Sequence, residues 1–309
     1  MGAFAEYLVV DEELVLKVPD NGAMEMDEAS TLGMSFLTAL GALGRWLGLN
    51  LDPESTTGAT TVEENETKTE SNGNSENSNG FEFEPRTPIL VWGGSTAVGH
   101  YVIQLLRLAG GGKRFTVITT GSRASIPRLQ KLGADIVLAR EDGVEENLKE
   151  IKRASSLAGD RGLTKALDCF SSKESAAACA RALSSSPGEG RLHTLFPVEL
   201  PEYAREGVCK TFGLVQTSLG PEYADMSVLD WMNPRPTKEE MREDHAFAAR
   251  WYGFDRGVAY GLLRDKKLQP MPICRWEGGL AGIQGGIDAM REGKAAGLKI
   301  VHQIAEERE

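Results

Sequence analysis

Apolar positions change their spacing several times along this chain, and each change marks an element. Pro88-Ile89-Leu90-Val91-Trp92 is a continuous apolar run with the length of a buried strand. It breaks at Gly93-Gly94-Ser95-Thr96-Ala97-Val98-Gly99. Val102, Ile103, Leu105, Leu106 and Leu108 then recur at helical spacing, and Phe115-Thr116-Val117-Ile118-Thr119 returns to a β-rich run. Leu132-Gly133-Ala134-Asp135 leads into a third strand, Ile136-Val137-Leu138. Further strands are expected at 164–168, 190–195 and 209–215, with helices near 144–158 and 173–183 between them. Strands alternating with helices in this way predict an α/β fold with a parallel, doubly wound sheet.

The flanks follow other patterns. Residues 5–10 and 14–19 read as short β segments. A helix is predicted from about Asp27 to Leu47, with Leu32, Phe36, Leu37, Leu40 and Leu43 as its apolar stripe and Ser30 or Asp27 as its cap. After the last strand, an amphipathic pattern predicts one long helix over about 237–265, and a return segment runs from Leu268 to Ile304. Between Asp52 and Thr87 the pattern fails altogether. That stretch is Glu, Asn, Ser, Thr and Gly, with too few apolar residues to offset the entropy of ordering, so it is expected to be disordered. It holds nine acids against Lys68 and Arg86. Most of the net charge of −11 therefore sits in this loop, and the rest of the chain is nearly neutral.

Charge and composition narrow the function classes. A chain of 309 residues at −11, with a pI near 5.1, has no electrostatic attraction to nucleic acid or to an anionic membrane. It has neither a secretory leader pattern nor an apolar run of about 18 residues. The expectation is a soluble, cytoplasmic protein, so the Asn65-Glu66-Thr67 sequon is discounted. Cys169, Cys179, Cys209 and Cys274 lie far apart, with no Cys-x-x-Cys and no His at ligand spacing. They are expected to be small buried hydrophobes, with no metal site. His100, His193, His245 and His302 show no pairing pattern.

The chemistry concentrates at the glycine turn. Strand, glycine turn, helix, strand is the order in which a dinucleotide fold places its phosphate site. Gly94 and Gly99 allow the tight turn, and Ser95, Thr96, Ala97 and Val98 are expected to cradle a pyrophosphate at the helix N-terminus. The end of the second strand reads Thr119-Thr120-Gly121-Ser122-Arg123. It has no acid for ribose hydroxyls, and Ser122 and Arg123 suit a 2′-phosphate, so NADPH is favoured over NADH. The alternative for Arg123 is a solvated residue that opens the next helix. Asp168 ends the fourth strand on the ligand side, where it either touches the cofactor or caps the turn that follows. Trp231, Trp251, Tyr252 and Phe254 line a substrate surface or, the better default, pack in the core.

These stretches resemble the medium-chain dehydrogenase/reductase superfamily, in its zinc-free quinone-oxidoreductase and enoyl-reductase branch. The similarity is nearest to fungal trans-acting enoyl reductases that partner polyketide synthases. It rests on Gly2-Ala3-Phe4-Ala5-Glu6-Tyr7, Glu28-Ala29-Ser30-Thr31-Leu32-Gly33, the 89–99 turn, Leu132-Gly133-Ala134-Asp135, Asp168-Cys169, Gly278-Gly279-Leu280, Arg291-Glu292-Gly293-Lys294 and Lys299-Ile300-Val301. The resemblance implies a Rossmann domain over 88–265 and parts of a GroES-like β-rich catalytic domain in 1–51 and 266–309, with 52–87 as an expanded linker. It implies hydride transfer from NADPH to the β-carbon of an enoyl thioester on a small-molecule or carrier-bound acyl substrate, with a polyketide synthase as a candidate partner, by a monomer or homodimer. It places Cys169, Leu195 and Phe196 along the nicotinamide and ribose. Thr38 is a catalytic candidate near the nicotinamide, or a helix Thr bonded to its own backbone. Arg291-Glu292-Gly293-Lys294 reads as a helix C-terminus with cations and a glycine, and by the resemblance Lys294 is a candidate cofactor contact. The family carries roughly 70 to 90 further residues at its front. Their absence here is expected to leave activity open, so a quinone or alkenal reductase and a non-catalytic NADPH- or synthase-binding fragment stand as alternatives.

Overall fold

The computed structural model describes residues 12–54, 86–156, 162–184, 188–202, 207–221 and 235–303. The β segment expected at 5–10, the sequon at Asn65, most of the 52–87 loop and Trp231 lie outside the described residues.

Six parallel strands form the main sheet: β1 (Thr87–Trp92), β2 (Phe115–Gly121), β3 (Ile136–Ala139), β4 (Lys165–Asp168), β5 (Arg191–Thr194) and β6 (Cys209–Phe212). Their spatial order is β3-β2-β1-β4-β5-β6, so the chain reverses direction across the sheet between β1 and β4. The crossovers are α3 (Ala97–Leu108), α4 (Ile126–Leu132), α5 (Val144–Ser156) and α6 (Lys173–Ala182). β1 shows why both faces must be covered. Ile89 and Val91 enter one core with Tyr101, Ile103, Leu106 and Leu129 of α3 and α4. Leu90, on the other face, enters a second core with Leu148, Ile151 and Cys179 of α5 and α6. A strand buried on both faces reads as an unbroken apolar run, as this one does.

The predicted helix over 27–47 is broken. α1 (Met26–Ala29) is a single turn closed by a box between Glu25 and Glu28 rather than by Ser30 or Asp27. The Ser30 hydroxyl donates to the Asp27 carbonyl and the Thr31 hydroxyl to the Glu28 carbonyl. These local bonds compete with helix continuation. α2 (Gly33–Leu40) restarts the pattern and runs into a π-helical stretch, Gly41–Trp46. The widened turn lets the Trp46 ring lie where a Cβ on Gly41 or Gly213 would stand, 3.0 and 2.1 Å from the indole. The same ring stacks on His193 of β5, with centroids 4.8 Å apart and planes 11° apart.

The long helix expected over 237–265 is also two pieces, α7 (Lys238–Trp251) and α8 (Val258–Arg264). Gly253 and Phe254 adopt left-handed backbone, and a Cβ on Gly257 would meet the Tyr252 carbonyl at 1.9 Å. The break frees Phe254 to pair with the early segment: its amide donates to the Val15 carbonyl and its carbonyl accepts from Lys17. That bridge, Leu16 to Phe254, is all the β structure in the segment expected at 14–19. Periodicity alone could not see either break, because the apolar spacing continues through both.

The return segment forms β7 (Ile273–Trp276), α9 (Ile283–Arg291) and β8 (Lys299–His302), with β7 and β8 paired in parallel. A buried polar seam ties its start to α3. Gln104 and Gln269 exchange hydrogen bonds through amide side chain and backbone, and His100 Nε2 donates to the Gln269 carbonyl at 3.0 Å. The Met271 amide donates to the Tyr101 hydroxyl. No helix among the described residues is long and apolar enough to cross a membrane.

Candidate functional site

The glycine turn lies at the carboxyl end of β1, beside the point where strand order reverses. In open α/β sheets that crevice is where ligands bind. Its shape is set by close backbone approach. Gly93 has φ +85°. A Cβ on Gly94 would sit 2.2 Å from Thr119 Oγ1, and one on Gly99 would sit 2.5 Å from the Gly93 carbonyl oxygen. The turn is then pinned to β2: the Gly93 amide donates to Thr120 Oγ1 and the Gly94 amide to the Thr120 carbonyl, both at 2.9 Å. Thr96 caps α3 by accepting from the Gly99 amide at 3.1 Å. The amides of Ala97 and Val98, in the first helical turn, have no carbonyl of their own helix to meet. Ser95 to Val98 are only half-buried. A rigid, Cβ-free turn with free helix-end amides fits a dinucleotide pyrophosphate.

The other expected site residues take varied positions. Asp168 is fully buried, and its carboxylate accepts from the Phe170 and Ser171 amides and from the Ser175 hydroxyl at 2.9–3.0 and 2.6 Å. Of its two readings the structure realises the cap; burial raises its pKa, against those bonds. Ser171, with φ 59°, passes the connection on by donating to the Asp168 carbonyl and accepting from the Leu195 amide. Cys169 is buried next to Thr96, and burial holds its thiol protonated. Leu195 packs against the main core. Phe196 is 63% exposed at the carboxyl end of β5. Thr38 donates its hydroxyl to the Met34 carbonyl at 2.7 Å, the local helix role.

Arg123 does not stand free. Its guanidinium pairs with Asp142, and its amide donates to the Glu141 carboxylate at 2.9 Å. The end of β2 carries no acid of its own, but the end of β3 brings two beside it. Lys294 pairs with Glu292, while its amide closes the last turn of α9 on the Ala289 carbonyl. Trp251 and Tyr252 are core residues, as the default reading had them, with Phe36 packed against both rings. Of the cysteines, Cys169 and Cys179 are buried but Cys209 is exposed and Cys274 half-exposed, which corrects the expectation for the latter pair. Among the described residues no three His, Cys, Asp or Glu side chains gather at metal-binding range.

Two residues at the site went unseen in the sequence. Phe170 follows Asp168-Cys169 and is 66% exposed; its backbone amide lies 3.6 Å from where a Gly93 Cβ would be. An exposed Phe in a short turn has no periodic signal. Arg128 lies on α4, half-buried, with Nη2 3.4 Å from the Ser95 carbonyl and Nη1 3.3 Å from His100 Nδ1. Its position in a helical pattern offered no hint that it turns toward the phosphate loop.

No family model matches the chain. Comparison with curated proteins does find relatives over nearly its whole length. The trans-enoyl reductase fsa3 of Fusarium sp. (strain FN080326) is 30% identical over 308 residues, covering 98% of this chain and 72% of the relative. The trans-enoyl reductase iccB of Talaromyces variabilis is 32% identical over 307 residues, covering 99% and 69%. The chain belongs to the medium-chain dehydrogenase/reductase superfamily, as a homologue of the fungal trans-enoyl reductases. Solved structures agree on the fold. The CurK enoyl reductase aligns with a TM-score of 0.56 at 15% identity, over 92% of this chain and 65% of that one. A putative NADPH:quinone reductase from Bacillus thuringiensis aligns with a TM-score of 0.56 at 15% identity, over 94% and 68%. The α/β fold with its six-stranded parallel sheet therefore matches that of medium-chain dehydrogenase/reductase enzymes, which join a Rossmann to a GroES-like domain.

Proposed function

We propose that this medium-chain oxidoreductase is an NADPH-dependent enoyl reductase that acts in trans on acyl chains carried by a polyketide synthase. The observation that carries the reading is the similarity to trans-enoyl reductases across both ends of the chain, joined to the glycine turn at the strand-order reversal. On this reading residues 88–265 form the nucleotide-binding domain, and 1–51 with 266–309 belong to the substrate-side domain.

When bound, NADPH supplies the hydride that goes to the β-carbon of the enoyl thioester, and the α-carbon then takes a proton. The chain's own residues orient and exclude. Ser95, Thr96, Ala97 and Val98 hold the pyrophosphate against the helix-end amides. Gly94 and Gly99 keep that backbone close to β2. Leu195 and Phe196, at the end of β5, bear on the nicotinamide side, and Phe170 covers the turn from β4. Asp168 serves through position: it locks the Phe170–Ser171 turn, and Ser171 locks Leu195. Cys169 stays a protonated thiol with no nucleophilic part. Thr38 gives its hydroxyl proton to the Met34 carbonyl, so any part it took in the chemistry would be as an acceptor.

The test is turnover by the purified chain with NADPH and crotonyl thioester, followed by the loss of reduced-nicotinamide absorbance, with a quinone as the competing acceptor. Thioester-dependent oxidation above the quinone rate supports the reading. Oxidation by quinone alone makes the chain a quinone reductase, and bound NADPH that neither acceptor oxidises makes it a non-catalytic binder.

A further inference from the structure

The glycine turn faces a cation, Arg128, whose charge no carboxylate among the described residues balances. Its guanidinium meets a carbonyl, Ser95 O, and an imidazole nitrogen, His100 Nδ1. The imidazole is neutral: burial lowers the His100 pKa to about 4, and Nε2 spends its proton on the Gln269 carbonyl. Nδ1 is thus a lone-pair acceptor that orients the guanidinium and leaves its charge uncompensated. On the other side, the backbone at Gly297 closes in, with Nη2 3.3 Å from the position of a Cβ there. Burial without a counter-ion disfavours the charged guanidinium. Arg123 offers the contrast, since it is exposed and already neutralised by Asp142, with Glu141 beside it.

We propose that Arg128, rather than Arg123, is the cation that takes a phosphate of the nicotinamide dinucleotide, and that the ligand supplies the counter-charge the fold omits. This rests on the dinucleotide reading of the turn. The Ser95 carbonyl belongs to the loop that receives the pyrophosphate, so the bridging phosphates are the contact assigned. A guanidinium held by one carbonyl and one imidazole retains donors in its planar fork for a phosphate oxygen. The neighbouring neutral groups hold it in place before the ligand arrives, which reduces the ordering cost of binding.

The experiment is a fluorescence titration of the whole chain with NADPH and, separately, NADH. It compares wild type, Arg128→Met, Arg128→Lys, Arg123→Met and, as a distant charge control, Arg153→Met. Thermal unfolding without nucleotide confirms that each variant is folded. Arg128→Met is expected to weaken both nucleotides about tenfold or more, the scale of a charge-assisted hydrogen bond. Arg128→Lys should recover part of that loss, and Arg123→Met should cost less than Arg128→Met. A loss confined to NADPH keeps Arg128 as the phosphate cation and moves its contact to the 2′-phosphate. Affinity in Arg128→Met equal to that of Arg153→Met overturns the assignment. So does a Lys variant no better than Met, which would reduce Arg128 to a hydrogen-bonding strut for Ser95. If wild type binds neither nucleotide, the dinucleotide reading itself fails, and that result is separate from either outcome for Arg128.

Discussion

The ends of β1 and β2 lie side by side in one sheet, yet they are built on opposite principles. At the end of β1 the chain folds on itself: Gly94 against Thr119, Gly99 against Gly93, Thr96 over Gly99. These constraints are backbone and hydroxyl contacts, and the charge that reaches the turn is Arg128, at the Ser95 carbonyl. At the end of β2 the constraints are exposed charges from another element, Glu141 and Asp142 meeting Arg123. The first turn is a rigid steric mould, and the second is an electrostatic arrangement that salt and mutation can retune. On the proposed dinucleotide reading, the phosphate grip lies in the mould and the cofactor preference in the arrangement.

The sharpest way to break the contrast is Gly99→Ala. The added carbon meets backbone atoms that cannot rotate away, at 2.5 and 2.7 Å. A loss of about 2–4 kcal/mol in urea unfolding is expected, with nucleotide binding abolished. A wild-type stability would show that the turn is softer than its packing implies.

Acid comes next. His100 beside the mould and His193 under Trp46 are both buried neutral, with pKa values lowered to about 4 and about 3. The unfolded chain takes up these protons near pH 6.5 and the folded chain resists doing so. Stability is therefore full above about pH 6.5 and falls as the pH drops toward 4, by about 3 kcal/mol for His100 alone. Denaturant titrations across that range check it, and a His100→Gln variant should flatten the slope by about one proton.

Thr96→Val removes the cap on Gly99 and should cost about 1 kcal/mol while weakening nucleotide binding modestly. The smallest effect is expected at the second turn. Asp142→Asn breaks an exposed pair, so stability should change by less than about 1 kcal/mol. Removing that charge should nevertheless raise the NADPH-to-NADH affinity ratio by about two- to fivefold at low salt, and less in high salt. An unchanged ratio would mean that the end of β2 does not read the 2′-phosphate.

The same contrast explains what was legible in the sequence. The six strands, their crossover helices and the glycine turn were readable because apolar period and glycine placement are local signals. Where hydroxyl-to-backbone bonds or tertiary contacts decide, reading failed. The helix over 27–47 breaks at Ser30 and Thr31, which bond to their own backbone, and its end widens so that Trp46 can reach His193. The helix over 237–265 breaks so that Phe254 can pair with Leu16. Arg123 looked free because its partners lie 18 and 19 residues away on β3's far end. Arg128 drew no attention because nothing local says that His100 and Ser95 face it.

The most direct test of the account is calorimetric titration of the full chain with NADPH and with NADH. One NADPH per chain, bound more tightly than NADH and lost in Gly99→Ala, is the predicted result. Binding of neither nucleotide by a folded chain would contradict the assignment of the turn, and with it the reductase reading built on it.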